Sequence, residues 1–201
     1  AYMFTCVPYA IAVLLVSIAV YNYSRGGKCG WIVSSVLLTL ALGIYQAYIS
    51  LASGLFVAYL IRRAMDREWS WQRMLRCGIW CLVVLAGGLA LYFAVNKLVM
   101  TLTATEYNAY AAASITFEGL GELRNAYDLF FKGIMYRYLL FVPSRFSRLL
   151  HLLLAGITAL ICLYAFVRKI DWGKRILLVL LVMIYPLSVN CLAVVSPRQH
   201  T

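Results

Sequence analysis

An uncharged apolar run over residues 31–61 constrains the fold of this chain more than any other feature. A bilayer core is about 30 Å thick, so a straight helix needs roughly 20 residues to cross it. The run is longer than one membrane-spanning helix needs and shorter than two such helices need. Lys28 precedes it, and Arg62 and Arg63 follow it. Because positive charge collects on the cytoplasmic side of a membrane, these flanks predict two short helices that run across the membrane in opposite directions.

The turn of this hairpin is predicted to hold Tyr45, Gln46 and Tyr48 on the outer side. A non-helical turn at membrane depth must be buried in protein or line a wet cavity, so the turn is expected to face a substrate cavity. The alternative is one long tilted helix that contains an isolated Gln. A single crossing would, however, place the arginine-rich residues 62–76 outside, and the charges therefore favour the hairpin.

The composition indicates an integral membrane protein. Of the 201 residues, 64% are hydrophobic and 12% are charged, whereas a soluble domain carries about 25% charged residues. The net charge of +11 would suggest nucleic-acid binding in a soluble protein. Here most basic residues fall in short loops between apolar spans, so we interpret them as topology signals and contacts with membrane lipids. No nucleic-acid motif is present, and no nucleic-acid partner is expected.

The apolar spans predict an all-α polytopic membrane protein with about six transmembrane helices in one domain over residues 1–201. Apart from the hairpin, the spans are expected at residues 2–21, 77–100, 149–167 and 176–195. Residues 1–100 would then hold four spans, 101–147 an outer loop and 148–201 two spans. Gly87 and Gly88 would permit close helix approach. Both chain ends look cut, so we interpret the sequence as a piece of a larger membrane protein.

One part of the predicted outer loop has helical periodicity. Its apolar side chains recur at three-to-four spacing, at Leu120, Leu123, Tyr127, Phe130, Phe131, Ile134 and Tyr138. Polar and charged residues occupy the opposite face, and Pro143 follows the pattern. We predict an amphipathic helix over residues 118–138 that lies flat on the outer surface and covers the cavity. Packing of its apolar face against the rest of the protein is the alternative, and both can hold.

The reactive residue types form no recognisable catalytic or metal-binding motif. The six cysteines are scattered without a Cys-x-x-Cys pair or a Cys/His cluster, so no metal site is predicted. No glycine-rich phosphate loop is present, and no cofactor is expected. The residues expected to bind substrate converge on the outer face and are Tyr45, Gln46, Tyr48, Arg198 and His200. Rings and amides suit a sugar, and basic groups suit a lipid phosphate. Gln46 could instead only cap the turn.

The segment LGIYQAYISLA at residues 42–52, followed by Gly54, Leu55 and Phe56, resembles the tyrosine-glutamine segment of the bacterial glucosyltransferase II family. The order of basic inner loop, span, long outer loop and two spans is also similar. The resemblance implies a GT-C-type glycosyltransferase of the bacterial cytoplasmic membrane. Such enzymes move a sugar, typically glucose, from an undecaprenyl-phosphate carrier to a cell-envelope polysaccharide outside. They usually keep a catalytic carboxylate in the first outer loop, which would precede Ala1.

Two other classes of protein would use a similar cavity. A transporter or flippase of lipid-linked sugars would bind the same donor without chemistry, and an accessory subunit would bind no ligand. The resemblance implies a lipid-linked sugar donor and a polysaccharide acceptor as partners. Transfer of labelled glucose from a purified lipid donor would distinguish the enzyme from the other two classes.

Overall fold

The computed structural model describes residues 3–27, 29–66, 68–103 and 172–191, together with residues 124, 126–128, 130, 156, 160 and 163. Its helices are α1 (Met3–Arg25), α2 (Gly30–Ile44), α3 (Tyr48–Ala64), α4 (Trp71–Thr103) and α5 (Trp172–Val189). No strand occurs among these residues. The prediction of an all-α membrane protein is therefore confirmed.

Among the described residues, three helices are long and apolar enough to cross a membrane: Cys6–Arg25 within α1, α4 and α5. The shorter helix α2 is also apolar. Large apolar side chains on these helices face outward, and Leu82 of α4, for example, is 65% exposed. Soluble monomers rarely expose contiguous apolar surface on this scale, so these faces fit a lipid environment.

Residues 31–61 form two helices joined by a turn at residues 45–47, as the basic flanks predicted. Helix α2 ends where Tyr45 takes an extended backbone, with φ −160° and ψ 121°. Ala47 provides no side-chain cap for α3. The N–H of Tyr48 instead donates to the carbonyl of Tyr45 at 3.2 Å, which keeps the turn tight.

Ring contacts show that the chain reverses at this turn. Tyr9, near the start of α1, packs against Tyr45 and Tyr48. Tyr23, near the end of α1, packs edge-on against Phe56 in the second half of α3. Helices α1 and α3 therefore run in the same direction, and α2 runs against both.

The two ends of the bundle differ in character. The basic end, where α1 and α3 finish, carries Arg25, Arg62, Arg63, Arg73, Arg76, Lys174 and Arg175. The tyrosine end, at the turn, carries Tyr9, Tyr45 and Tyr48. Helix α4 starts at the basic end, since the hydroxyl of Tyr23 donates to the carbonyl of Cys77 at 2.9 Å.

Helix α5 also starts at the basic end and runs opposite to α3. The Nζ of Lys174 donates to the carbonyl of Asp66 at 3.0 Å. Towards the other end, the hydroxyl of Ser53 donates to the carbonyl of Ser188. Pro186 lies inside α5, so the helix continues through it.

Helices α2 and α4 run in the same direction and meet through hydroxyl residues and glycine. Ser35 Oγ donates to the carbonyl of Val84 at 3.3 Å, and Thr39 Oγ1 donates to that of Gly88 at 3.0 Å. A Cβ added to Gly88 would lie 3.0 Å from the Cβ of Leu38. The close approach expected from the glycine pair is therefore confirmed.

Part of the predicted amphipathic stretch packs on α5. Residues 124, 126–128 and 130 have helical backbone. The hydroxyl of Tyr127 donates to the carbonyl of Met183, and the rings of Phe130 and Tyr185 meet edge-on at 5.9 Å. The apolar face thus packs against the protein at these two positions. The remainder of residues 118–138 lies outside the described residues.

The reversal at the turn predicts where reagents reach the protein. Arg25 and Arg63 lie at the basic end, so single cysteines placed there in a cysteine-free variant should react with an impermeant maleimide from the same side of the membrane. A cysteine at Tyr45 should react from the opposite side. Labelling of the positions of Arg25 and Arg63 from opposite sides would rule out the hairpin.

Candidate functional site

Three tyrosines meet at the turn of residues 45–47: Tyr9 from α1, Tyr45 in the turn and Tyr48 at the start of α3. The ring centroids of Tyr9 and Tyr45 are 5.6 Å apart, and those of Tyr45 and Tyr48 are 6.1 Å apart. The hydroxyl of Tyr48 donates to the carbonyl of Tyr9 at 3.0 Å, which ties the start of α3 to α1. Tyr45 remains 53% exposed. We call these three residues the tyrosine cluster. In it the ring of Tyr45 is exposed, while the bond between Tyr48 and Tyr9 holds the neighbouring backbone in place.

The geometry of the turn follows from the local sequence. Tyr45 leaves the helical conformation directly after Ile44, which turns its ring out of α2. The N–H of Ile49 donates to the carbonyl of Gln46 at 3.2 Å, so the backbone closes the first turn of α3 itself. The side chain of Gln46 is therefore not required as a cap, which was one alternative for this residue.

The amide of Gln46 bonds a neighbouring helix instead. Its Nε2 donates to the hydroxyl of Tyr92 on α4 at 2.7 Å. Gln46 is exposed, and within the described residues its Oε1 has no hydrogen-bond partner. The bond to Tyr92 orients an amide whose carbonyl oxygen can accept from a hydroxyl-rich ligand.

The structure brings together some of the residues expected to bind substrate. Tyr45, Gln46 and Tyr48 lie at the same end of the bundle, within and directly after one turn. Arg198 and His200 lie outside the described residues. Whether any of these residues binds substrate remains a prediction.

Sequence reasoning missed two members of this site, Tyr9 and Tyr92. Both lie on other helices, and their partners are 39 and 46 positions away along the chain. The sequence could have indicated them only through their positions, because each tyrosine lies towards the predicted outer end of its span. That signal is weak, since tyrosine is common near both membrane interfaces.

Helix α4 continues well past the level of the turn. Tyr92 marks that level through its bond to Gln46, and residues 93–103 extend beyond it. The side chains of Leu98 and Leu102 on this extension are 60% and 77% exposed. The turn therefore lies beside α4, and this apolar helix extends further than the turn along the bundle axis.

A comparison with known proteins adds one family. The model of the family described as glucosyl transferase GtrII matches residues 1–200. No curated protein and no solved structure matches the chain.

Proposed function

The chain belongs to the glucosyl transferase GtrII family and is a membrane glycosyltransferase, and from this premise we propose its donor, acceptor and site. The donor is glucose on an undecaprenyl-phosphate carrier. The acceptor is a cell-envelope polysaccharide on the outer face of the bacterial cytoplasmic membrane, which the chain crosses several times. The tyrosine end faces outward, and its turn binds the donor headgroup.

The short length of α2 is the observation that carries this proposal. Helix α2 has 15 residues and is about 22 Å long at 1.5 Å per residue. A bilayer core is about 30 Å thick. With Gly30 at the inner border of the core, the turn lies below the outer border. Irregular backbone at such depth belongs beside protein or water, so the turn suits a polar recess.

The residues around this recess suit a sugar phosphate on a lipid. The exposed ring of Tyr45 offers an apolar face for a pyranose, and Gln46 Oε1 accepts from sugar hydroxyls. Tyr48 holds the turn against α1 through the carbonyl of Tyr9. We propose that Arg198 and His200 complete the site by binding the carrier phosphate, for which cationic donors are suited.

The proposed reaction exchanges one bond at the anomeric carbon for another. A carboxylate takes the proton of an acceptor hydroxyl as the hydroxyl oxygen attacks that carbon. The bond between the anomeric carbon and the phosphate oxygen breaks, and the carrier phosphate leaves with the bonding electrons. Cationic donors stabilise the charge on this leaving group.

A transfer assay with the full-length protein tests the proposal. Purified protein in liposomes receives undecaprenyl-phosphate carrying labelled glucose and the polysaccharide acceptor. The proposal expects label in the polysaccharide without added nucleotide sugar. Label that crosses the membrane but stays on the lipid would identify a flippase and overturn it. Label transferred only from a nucleotide sugar would overturn the choice of donor.

A further inference from the structure

The basic end holds an arginine whose guanidinium is fixed by aromatic rings. The Cζ of Arg63 lies 4.7 Å from the ring centroid of Trp69 and 5.3 Å from that of Tyr59. Its Nε donates to the hydroxyl of Tyr59 at 3.3 Å. Such contacts combine cation–π attraction with a defined orientation of the guanidinium plane.

The outer nitrogens of this guanidinium pair only loosely with a carboxylate. Asp66 forms an ion pair with Arg63, but its Oδ2 lies 3.9 Å from Nη1, which is too long for a hydrogen bond. In the part of the chain that the structure describes, neither Nη atom has a closer acceptor. The side chain of Arg63 is 31% exposed. The result is a partly exposed fork of N–H donors that does not need to be ordered when an anion binds.

The loop that supplies Trp69 and Asp66 is held by a hydrogen bond from α5 and by one within the loop itself. Lys174 of α5 donates to the backbone carbonyl of Asp66 at 3.0 Å. The carboxylate of Asp66 accepts from the N–H of Glu68 at 3.3 Å. Three parts of the fold, namely α3, this loop and α5, therefore fix the surroundings of Arg63.

We propose that Arg63 binds the phosphodiester of an anionic glycerophospholipid in the leaflet at the basic end. A guanidinium fork matches two phosphate oxygens, whereas an ammonium acts as a point charge. Trp69, which contacts the guanidinium, is of a residue type enriched at the membrane border, and this supports headgroup depth for the fork. Arg73 and Arg76 add positive charge that attracts anionic lipid to this end. The site lies opposite the tyrosine cluster and does not depend on the proposed function.

Lipid selection by the purified chain tests this site. The chain is equilibrated in mixed micelles of equal phosphatidylglycerol and phosphatidylcholine, and the retained lipids are counted by native mass spectrometry. Arg63→Gln should lower the phosphatidylglycerol preference about fivefold. Arg63→Lys keeps the charge but not the fork, and should lose about half of the preference.

Arg62→Gln is the matched control. It removes the same charge from the neighbouring residue, which is exposed and has no aromatic contact among the described residues. Its preference should change by less than about twofold. If both variants lose the same share of the phosphatidylglycerol preference, the general positive charge of this end explains the loss and the site is overturned. An unchanged preference in Arg63→Gln would overturn it as well.

Two further measurements control for misfolding and for binding of free phosphate. Melting curves check that each variant is folded. If Arg63→Gln does not fold, Arg63→Lys decides, because it keeps the charge: a phosphatidylglycerol preference equal to that of the wild type would then overturn the site. An excess of inorganic phosphate should leave the retained phosphatidylglycerol in place. Displacement of the lipid by free phosphate would overturn the assignment to a phospholipid.

Discussion

Changing Gln46 to Ala in the full-length enzyme is expected to cut glucosyl transfer about tenfold or more without lowering the melting temperature. One hydrogen bond to a charged or transition-state group contributes roughly 1.5–3 kcal/mol, and about 1.4 kcal/mol corresponds to a tenfold change in rate. Gln46 is exposed at the turn, and the turn's backbone hydrogen bonds close without its side chain. Initial rates with the labelled lipid donor measure the effect.

Tyr92→Phe is the matched control for this variant. It removes the same 2.7 Å hydrogen bond but leaves the amide of Gln46 in place to meet a ligand. A ligand role predicts a smaller loss, of less than about threefold, because only the orientation of the amide suffers. Equal falls in melting temperature for both variants would identify the bond as a structural brace. Normal folding and wild-type transfer by Gln46→Ala would show that the site assignment is wrong.

Changing Gly88 to Leu is expected to abolish the folded state of the bundle. A Cβ alone at this position would lie 3.0 Å from Leu38 Cβ and 3.3 Å from the carbonyl oxygen of Ser35. Both atoms belong to or adjoin the α2 backbone, so relief requires the helices to separate. Separation would also break the bond from Thr39 to the Gly88 carbonyl. Size-exclusion profiles and melting curves in detergent should show loss of the monodisperse protein.

Alanine substitutions at three glycines provide a graded test of this close contact. Gly88→Ala should destabilise by about 1–3 kcal/mol, as overpacking usually does. Gly87→Ala should cost less, because the nearest atom is the hydroxyl oxygen of Ser35 at 3.2 Å, which can rotate away. Gly43→Ala meets no atom within 4 Å and should be neutral or slightly stabilising. A different order of melting temperatures would contradict the close packing of α2 and α4.

The hairpin could be predicted because its signal lies in the local sequence. Lys28 and Arg63 flank the apolar run, and the rule that relates charge to side is independent of the distant parts of the fold. The helix bounds were less accurate. Helix α4 begins at Trp71, six positions before the predicted start of the span at residue 77. Ser70 Oγ accepts from the N–H of Arg73 at 3.3 Å, so the helix is capped in the polar border rather than at the apolar boundary.

The partners of α2 and of the turn could not be predicted in the same way. Ser34, Ser35 and Thr39 lie in an apolar run, and such hydroxyls need acceptors within a membrane. This requirement indicates a contact face, but every neighbouring helix offers backbone carbonyls. Ser34 bonds α1 at Ala19, whereas the other two bond α4. The choice depends on the crossing of whole helices, and so does the meeting of Gln46 with Tyr92.

The pairing of α2 with α4 has a consequence for biosynthesis. Thr39 and its acceptor Gly88 are 49 positions apart, so α2 leaves the ribosome seconds before its partner at about 5–20 residues per second. During that interval each hydroxyl has an acceptor within α2 itself. Ser35 donates to the carbonyl of Trp31 at 3.0 Å, and Thr39 donates to that of Ser35 at 2.9 Å. We therefore expect the nascent hairpin to insert with these hydroxyls satisfied and to receive α4 afterwards, when a second carbonyl comes to share the single O–H of each.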